Sequence, residues 1–154
     1  MGEGKMKLAN GTYFEGTFVN GKKHGPGKFF WDDSSTFVGN FILDKMEGQG
    51  VYNWADGTAY DGEWSANLMH GHGTFTWGNG SSYVGGFVND KKQGHGVYRW
   101  ADGRVYDGEW QNGKQNGQGH YTNSRGKQRT GIWQAGKVLE WIVEKEKSEE
   151  DEDE

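Results

Sequence analysis

Glycine returns every 23 residues, six times in register, at Gly16, Gly39, Gly62, Gly85, Gly108 and Gly131. A fixed period of that length means one small unit copied along the chain, so the units must bury their apolar faces against one another. Each glycine is bracketed by rings. Phe14, Phe37, Tyr60, Tyr83 and Tyr106 stand two residues before it, with Arg129 in the last copy. Phe18, Phe41, Trp64, Phe87, Trp110 and Trp133 stand two residues after. Further on comes a Gly-x-Gly pair and two more rings: Gly25, Gly27, Phe29, Trp31, then Gly48, Gly50, Tyr52, Trp54. The series continues as Gly71, Gly73, Phe75, Trp77, then Gly94, Gly96, Tyr98, Trp100, and ends with Gly117, Gly119, Tyr121.

The marked residues alternate at a spacing of two, the periodicity of strands whose successive side chains point to opposite faces. Tyr60, Gly62 and Trp64 are therefore expected on one face with Gly71, Gly73, Phe75 and Trp77, and Asp61, Glu63, Thr74 and Thr76 on the other. Turn pairs punctuate the strands: Asn20-Gly21 and Asn112-Gly113 after the first of each unit, Asp56-Gly57, Asn79-Gly80 and Asp102-Gly103 after the second. Such pairs supply the positive φ that tight hairpins need. The expected fold is all-β: an elongated, twisted, single-layer antiparallel sheet of about twelve strands, roughly 50 to 60 Å long at about 4.8 Å per strand. A half repeat at Lys5 to Leu8 opens the array, with Met6 and Leu8 in ring slots. Glycine ordinarily weakens a strand. Here it leaves flat backbone on which a large ring can lie, and the rings together form an aromatic groove.

Only 32% of the chain is hydrophobic, too little for a thick core, so the rings supply most of the burial. Cysteine is absent, which removes disulfides and thiolate chemistry and fits a reducing compartment. No apolar run approaches the length of a membrane helix, so a soluble, intracellular, cytoplasmic protein is expected. The net charge of −5 is concentrated at the end, where residues 144–154 carry eight acids and two lysines. The remainder is nearly neutral, without the basic bias of a nucleic-acid binder. The domain organisation expected is one array over residues 5–136, a cap at 137–147 that suits a strand or a helix turn equally, and a disordered acidic tail at 148–154.

The unit resembles the MORN repeat, whose pattern runs aromatic, x, Gly, x, Trp or Phe, with a later Gly-x-Gly and an Asp-Gly turn. The resemblance covers residues 5–136, with departures at Asp33-Ser34 for Asp-Gly, Arg129 for the leading ring and Asn123 for the late Trp. It implies an extended antiparallel sheet used as a scaffold in cytoskeletal, ciliary and membrane-associated proteins. The stretch Gly62, Glu63, Trp64, Asn67, Leu68, His70, Gly71, His72, Gly73 is similar to repeats of radial spoke head proteins of motile cilia. That resemblance implies a place in the axoneme of a cilium or flagellum, with proteins of a ciliary complex as partners.

No residue set supports catalysis or a cofactor. Three segments mimic a P-loop around Lys22, Lys114 and Lys137, but each lacks the following Ser or Thr and lies in a hairpin rather than before a helix. His70, His72 and His95 fall too far apart to close a zinc set, so no metal is expected. Two surfaces are candidates for binding. The first is the groove, with Tyr60, Trp64, Trp77, Tyr83, Phe87, Trp100, Tyr106 and Trp110 as partner contacts. The second is an edge bearing Lys22, Lys45, Lys91, Lys114 and Lys137 at equivalent turns, reinforced by Lys23 and Lys92, which suits acidic partners or anionic lipid. The open ends of such a sheet also leave room for a homodimer.

Overall fold

The computed structural model describes residues 2–8 and 10–143, and within them the chain is one open, twisted antiparallel sheet of thirteen strands. They are β1 (Gly2–Lys7), β2 (Tyr13–Val19), β3 (Lys22–Phe30), β4 (Thr36–Ile42), β5 (Lys45–Asn53), β6 (Ala59–Ser65) and β7 (Leu68–Thr76). The series continues with β8 (Ser82–Val88), β9 (Lys91–Arg99), β10 (Val105–Gln111), β11 (Lys114–Thr122), β12 (Gln128–Gln134) and β13 (Lys137–Trp141). Every strand pairs with its neighbour in sequence, so the topology is a pure meander. Short local hairpins therefore assemble the whole sheet without a crossover.

The expected dozen strands become thirteen through a last strand, β13, and the first is longer than the ring pattern suggested. The opening half repeat is a full strand, β1, which begins at Gly2 rather than Lys5 and places Gly4 opposite Gly16. At the other end, residues 137–141 form a strand whose Trp141 ring lies 5.5 Å from that of Trp133. The expected acidic tail lies outside the described residues.

The register explains the spacing of glycine. Gly4, Gly16, Gly27, Gly39, Gly50 and Gly62 face one another strand by strand, and the row continues through Gly73, Gly85, Gly96, Gly108 and Gly119 to Gly131. A band of bare backbone thus crosses the sheet. A Cβ on Gly62 would come within 2.5 Å of the Gly73 Cα, 2.6 Å of the Tyr60 hydroxyl oxygen and 2.7 Å of the His72 carbonyl oxygen. The ring of Tyr60 occupies the space that side chains on either glycine would need, as expected from the sequence.

The first glycine of each Gly-x-Gly pair does something else. Between Gly62 opposite Gly73 and Trp64 opposite Met69 the ladder slips, so that His70, Gly71 and His72 bulge opposite Glu63. Gly71 sits at φ +97°, a conformation ordinary residues avoid, and a Cβ there would meet the Glu63 carboxyl carbon at 2.9 Å. It therefore does not share the aromatic face with Gly73. Met69 takes that place, nearly buried beside Trp64.

Turns on the two long edges differ. On one edge lie two-residue turns with both φ values positive, such as Asn20-Gly21 at 53° and 79° and Ala66-Asn67 at 51° and 73°. These fit the strand twist. Their second residue also ties repeat to repeat: the Asn67 side-chain oxygen accepts the Met46 amide at 2.9 Å, and Asp44 and Asp90 do the same for Lys23 and Met69. On the other edge Asp33, Asp56, Asn79 and Asp102 each accept the amide two residues on, at 2.8 to 3.1 Å. That bond holds the Asp33 and Asp56 carboxyls below the usual carboxylate range, and at Asp102 the Arg104 side chain does so first and the turn amide second.

Candidate protein-docking face

The rings divide into two rows that run across the sheet side by side. The inner row comes from the first strand of each repeat and runs Phe14, Phe41, Phe37, Trp64, Tyr60, Phe87, Tyr83, Trp110, Tyr106, Trp133. Successive centroids are 4.8 to 5.4 Å apart with planes 80° to 90° apart. Edge-to-face contact sets the positive rim of one ring against the negative face of the next. All ten are buried. Their polar atoms are spent on backbone: the Tyr60, Tyr83 and Tyr106 hydroxyls donate to carbonyls of Glu63, Gly86 and Glu109, and the Trp64 and Trp110 indoles donate to Gly50 and Gly96. Burial pushes the Tyr60 and Tyr106 phenols up to about 12, and raises Tyr83 as well.

The outer row comes from the second strands and runs Phe29, Trp31, Tyr52, Trp54, Phe75, Trp77, Tyr98, Trp100. Neighbours on one strand are 4.3 to 4.7 Å apart, neighbours on successive repeats 5.0 to 5.5 Å, and the planes incline by 29° to 54°. Tyr121 and Trp141 extend it more loosely, at 6.2 and 6.3 Å. These rings pack against the inner row yet stay half-exposed.

Of the eight groove residues expected from sequence, six are therefore interior: Tyr60, Trp64, Tyr83, Phe87, Tyr106 and Trp110. Their place over the glycine band takes them away from solvent. Only Trp77 and Trp100 lie in the partly buried outer row, where they are joined by Trp31, Tyr52, Trp54, Phe75, Tyr98 and Tyr121. The bulge at each Gly-x-Gly is what separates the two rows.

The lysines also divide. Lys22, Lys45, Lys91, Lys114 and Lys137 are exposed at the start of second strands, along one edge, as expected. Lys23 and Lys92 instead turn onto the rings. Lys23 Nζ lies 5.5 Å from the Phe14 and Phe29 centroids and 3.3 Å from Asp44, while Lys92 Nζ lies 5.5 to 5.8 Å from Trp77, Tyr83, Tyr98 and Trp110. They occupy a slot between the rows that the other repeats fill with Met46, Met69 and Gln115. Burial lowers the pKa of Lys92. A hollow of about 210 Å³ adjoins it, lined by Phe75, Trp77, Phe87 and Asp90 among others. A roomier trough of about 640 Å³ lies among Glu3, Lys5, Glu15, Lys28, Val38 and Asn40, where no ring contributes.

Two arginines complete the outer row. The Arg104 guanidinium carbon lies 4.8 Å from the Trp100 centroid while its Nε reaches the Asp102 carboxylate at 2.9 Å, and Arg129 covers Trp141 at 4.0 Å. Three of the five histidines go to separate partners: the His95 ring to Asp107 at 2.6 Å, the His120 ring to the Thr130 hydroxyl at 2.8 Å, and the His72 amide to Glu63.

Residues 14–36, 37–59, 60–82, 83–103 and 106–128 each match the family model of the MORN repeat. The chain is a MORN-repeat protein. Each MORN unit begins on an inner-row position and ends in or beyond the turn that follows the outer-row rings. MORN repeats are a protein-binding or membrane-associated module rather than a catalytic one. No curated protein matches the sequence. Among solved structures, the TCP10 domain of CPAP from Danio rerio superposes with a TM-score of 0.50 at 15% identity, over 92% of this chain and 67% of that one. That likeness is one of fold. The TCP domain of SAS-4 (dCPAP) from Drosophila melanogaster, solved with a proline-rich motif of Ana2 (dSTIL), gives 0.47 at 12% identity, over 84% of this chain and 77% of that one.

Proposed function

We propose that this MORN protein is a non-enzymatic scaffold that holds other proteins in a cytoskeletal assembly, as a radial spoke head component of the ciliary axoneme, with the outer row as its docking face. One observation carries the reading. The inner row, with Met69, forms the buried core, yet a second, continuous row of large rings stands only partly buried beside it. Exposed aromatic surface of that extent marks a partner interface, and Tyr and Trp are the usual anchors of one. The spoke assignment rests on the resemblance of the Gly62–Gly73 stretch.

Proximity labelling in ciliated cells tests both parts. The wild-type protein should label axonemal neighbours, and a Trp31→Ser, Trp54→Ser variant that still folds should lose them. Unchanged labelling by that variant would remove the docking face, and neighbours confined to non-ciliary structures would remove the spoke assignment.

The exposed lysine edge favours a second reading, a peripheral module on anionic phospholipid, at up to about 1 kcal/mol per lysine near a charged surface. Salt-sensitive sedimentation with phosphatidylserine vesicles, abolished when Lys22, Lys45 and Lys91 become glutamine, would establish it. Absence of sedimentation would leave the scaffold alone. Among the described residues the outer sides of β1 and β13 pair with no other strand, and a second copy would join there.

A further inference from the structure

The chain places four of its own cations on the aromatic face, at Lys23, Lys92, Arg104 and Arg129. Among the described residues, none lies on the stretch from Trp31 to Phe75. There the slot between the rows holds Met46 and Met69, and the positions equivalent to Arg104 are Ser35 and Thr58. The carboxylates are nevertheless kept. Asp32, Asp33 and Asp56 are exposed beside Trp31 and Trp54, and among the described residues none is paired with a cation. Asp102 shows what such a carboxylate does when a cation is at hand: it anchors Arg104, whose guanidinium lies over the adjoining indole. The spacing from Trp100 to the next ring is 6.2 Å, against 5.0 to 5.5 Å between earlier repeats, so the row opens where the guanidinium sits.

Resting on the docking reading above, we propose that the outer row between Trp31 and Phe75 binds a basic, extended segment of a partner protein. Its arginines take, at Trp54 with Asp56 and at Trp31 with Asp33, the position that Arg104 takes at Trp100 with Asp102. Charge complementarity selects the occupant. An acidic segment or an anionic membrane would meet uncompensated carboxylates there, whereas a guanidinium pairs with the carboxylate and stacks on the indole at once. The repeat also sets the spacing. Successive sites lie two strands apart, about 9.6 Å, which one three-residue turn of polyproline II chain at about 3.1 Å per residue spans while returning the side chain to the same side. The segment recognised therefore carries arginine at positions i and i+3.

A fluorescent glycine-serine peptide with two arginines separated by two residues, and its neutral citrulline analogue, test this by anisotropy at low salt. The arginine peptide should bind the wild-type protein at least about tenfold more tightly than the citrulline peptide, and weaken as salt is added. Thr58→Arg would place the chain's own guanidinium on Trp54 and should weaken peptide binding about tenfold or more, a shift of about 1.4 kcal/mol. Asp56→Asn is the second variant. It keeps the side-chain oxygen that closes the turn, as Asn79 does for Ser81 at 2.9 Å, so it should fold while losing the peptide. Equal binding of both peptides, or unchanged binding by Thr58→Arg and Asp56→Asn, would overturn the proposal. If the arginine peptide fails to bind while Trp31→Ser, Trp54→Ser still loses its cellular neighbours, the basic partner is wrong and the docking face stands. If both experiments fail, both readings fall.

Discussion

The inner and outer rows are built from the same residue types, at the same period, on strands of the same hairpins, yet one is core and the other surface. The difference lies in what is beneath them. The leading inner ring of a repeat, such as Tyr60 over Gly62 and Gly73, lies over two facing glycines and is gripped edge-on by rings of its own and the next repeat, here Trp64 and Phe87. Each outer ring leans on its neighbours in the row and on the inner row, with water on the remaining side. A single-layer sheet has no second layer to bury its face. This one makes the layer from its own side chains, and the outermost of them stay available to a partner.

The largest expected effect separates the rows directly. Trp64→Ala removes a buried indole, its bond to the Gly50 carbonyl and its contacts with Phe37 and Tyr60, and should cost about 4 kcal/mol. Trp54→Ala removes a half-exposed indole and should cost about 1 to 2 kcal/mol, since part of that surface never left water. Urea unfolding of the two variants gives the comparison. Equal losses would mean that the outer row is as much core as the inner one, and the case for a docking face would weaken with it.

A smaller effect is expected at high pH. The Tyr60 and Tyr106 phenols titrate near 12 in the fold against about 10 in an unfolded chain, because burial disfavours the phenolate. A folded value raised in this way gives stability that is full below about pH 10 and is lost as pH climbs through the folded value. The wild-type protein should therefore soften between about pH 10 and 12. A Tyr60→Phe, Tyr83→Phe, Tyr106→Phe variant should start somewhat less stable, having lost three bonds to backbone, but show a flatter alkaline profile. Phe14 and Phe37 already fill equivalent positions. An unchanged alkaline profile would place the loss elsewhere than in the inner row.

Sequence alone revealed most of the fold because the period carried it: glycine, ring and turn positions fixed the strands, the meander and the identity of the aromatic face. It could not distribute the rings between core and surface. Tyr60 and Tyr52 are indistinguishable by composition and by spacing from a glycine. They separate only because Gly71 and its equivalents, read as further ring seats, enter the left-handed region and carry the bulge. A signal was present in the slot filled by Lys23, Met46, Met69, Lys92 and Gln115, since long unbranched side chains at one repeat position imply a narrow channel between two rows. Counting Lys23 and Lys92 with the lysine edge concealed it. Ser34 hid for a different reason, standing at φ 81° where the other repeats use glycine and closing the same turn.

The smallest expected effect lies in that channel. Lys92 is surrounded by two inner rings, Tyr83 and Trp110, and two outer ones, Trp77 and Tyr98. Attraction of an ammonium to ring faces contributes about 0.5 to 2 kcal/mol, but burial takes the same ammonium out of water and lowers its pKa. Met46 and Met69 show that the slot accepts an unbranched apolar chain. Lys92→Met should therefore raise stability by about 0.5 to 1 kcal/mol in urea unfolding. Lys23→Met should gain nothing, because it also gives up the ion pair with Asp44 at 3.3 Å. Destabilisation by Lys92→Met would mean that the rings more than offset the loss of water around a cation.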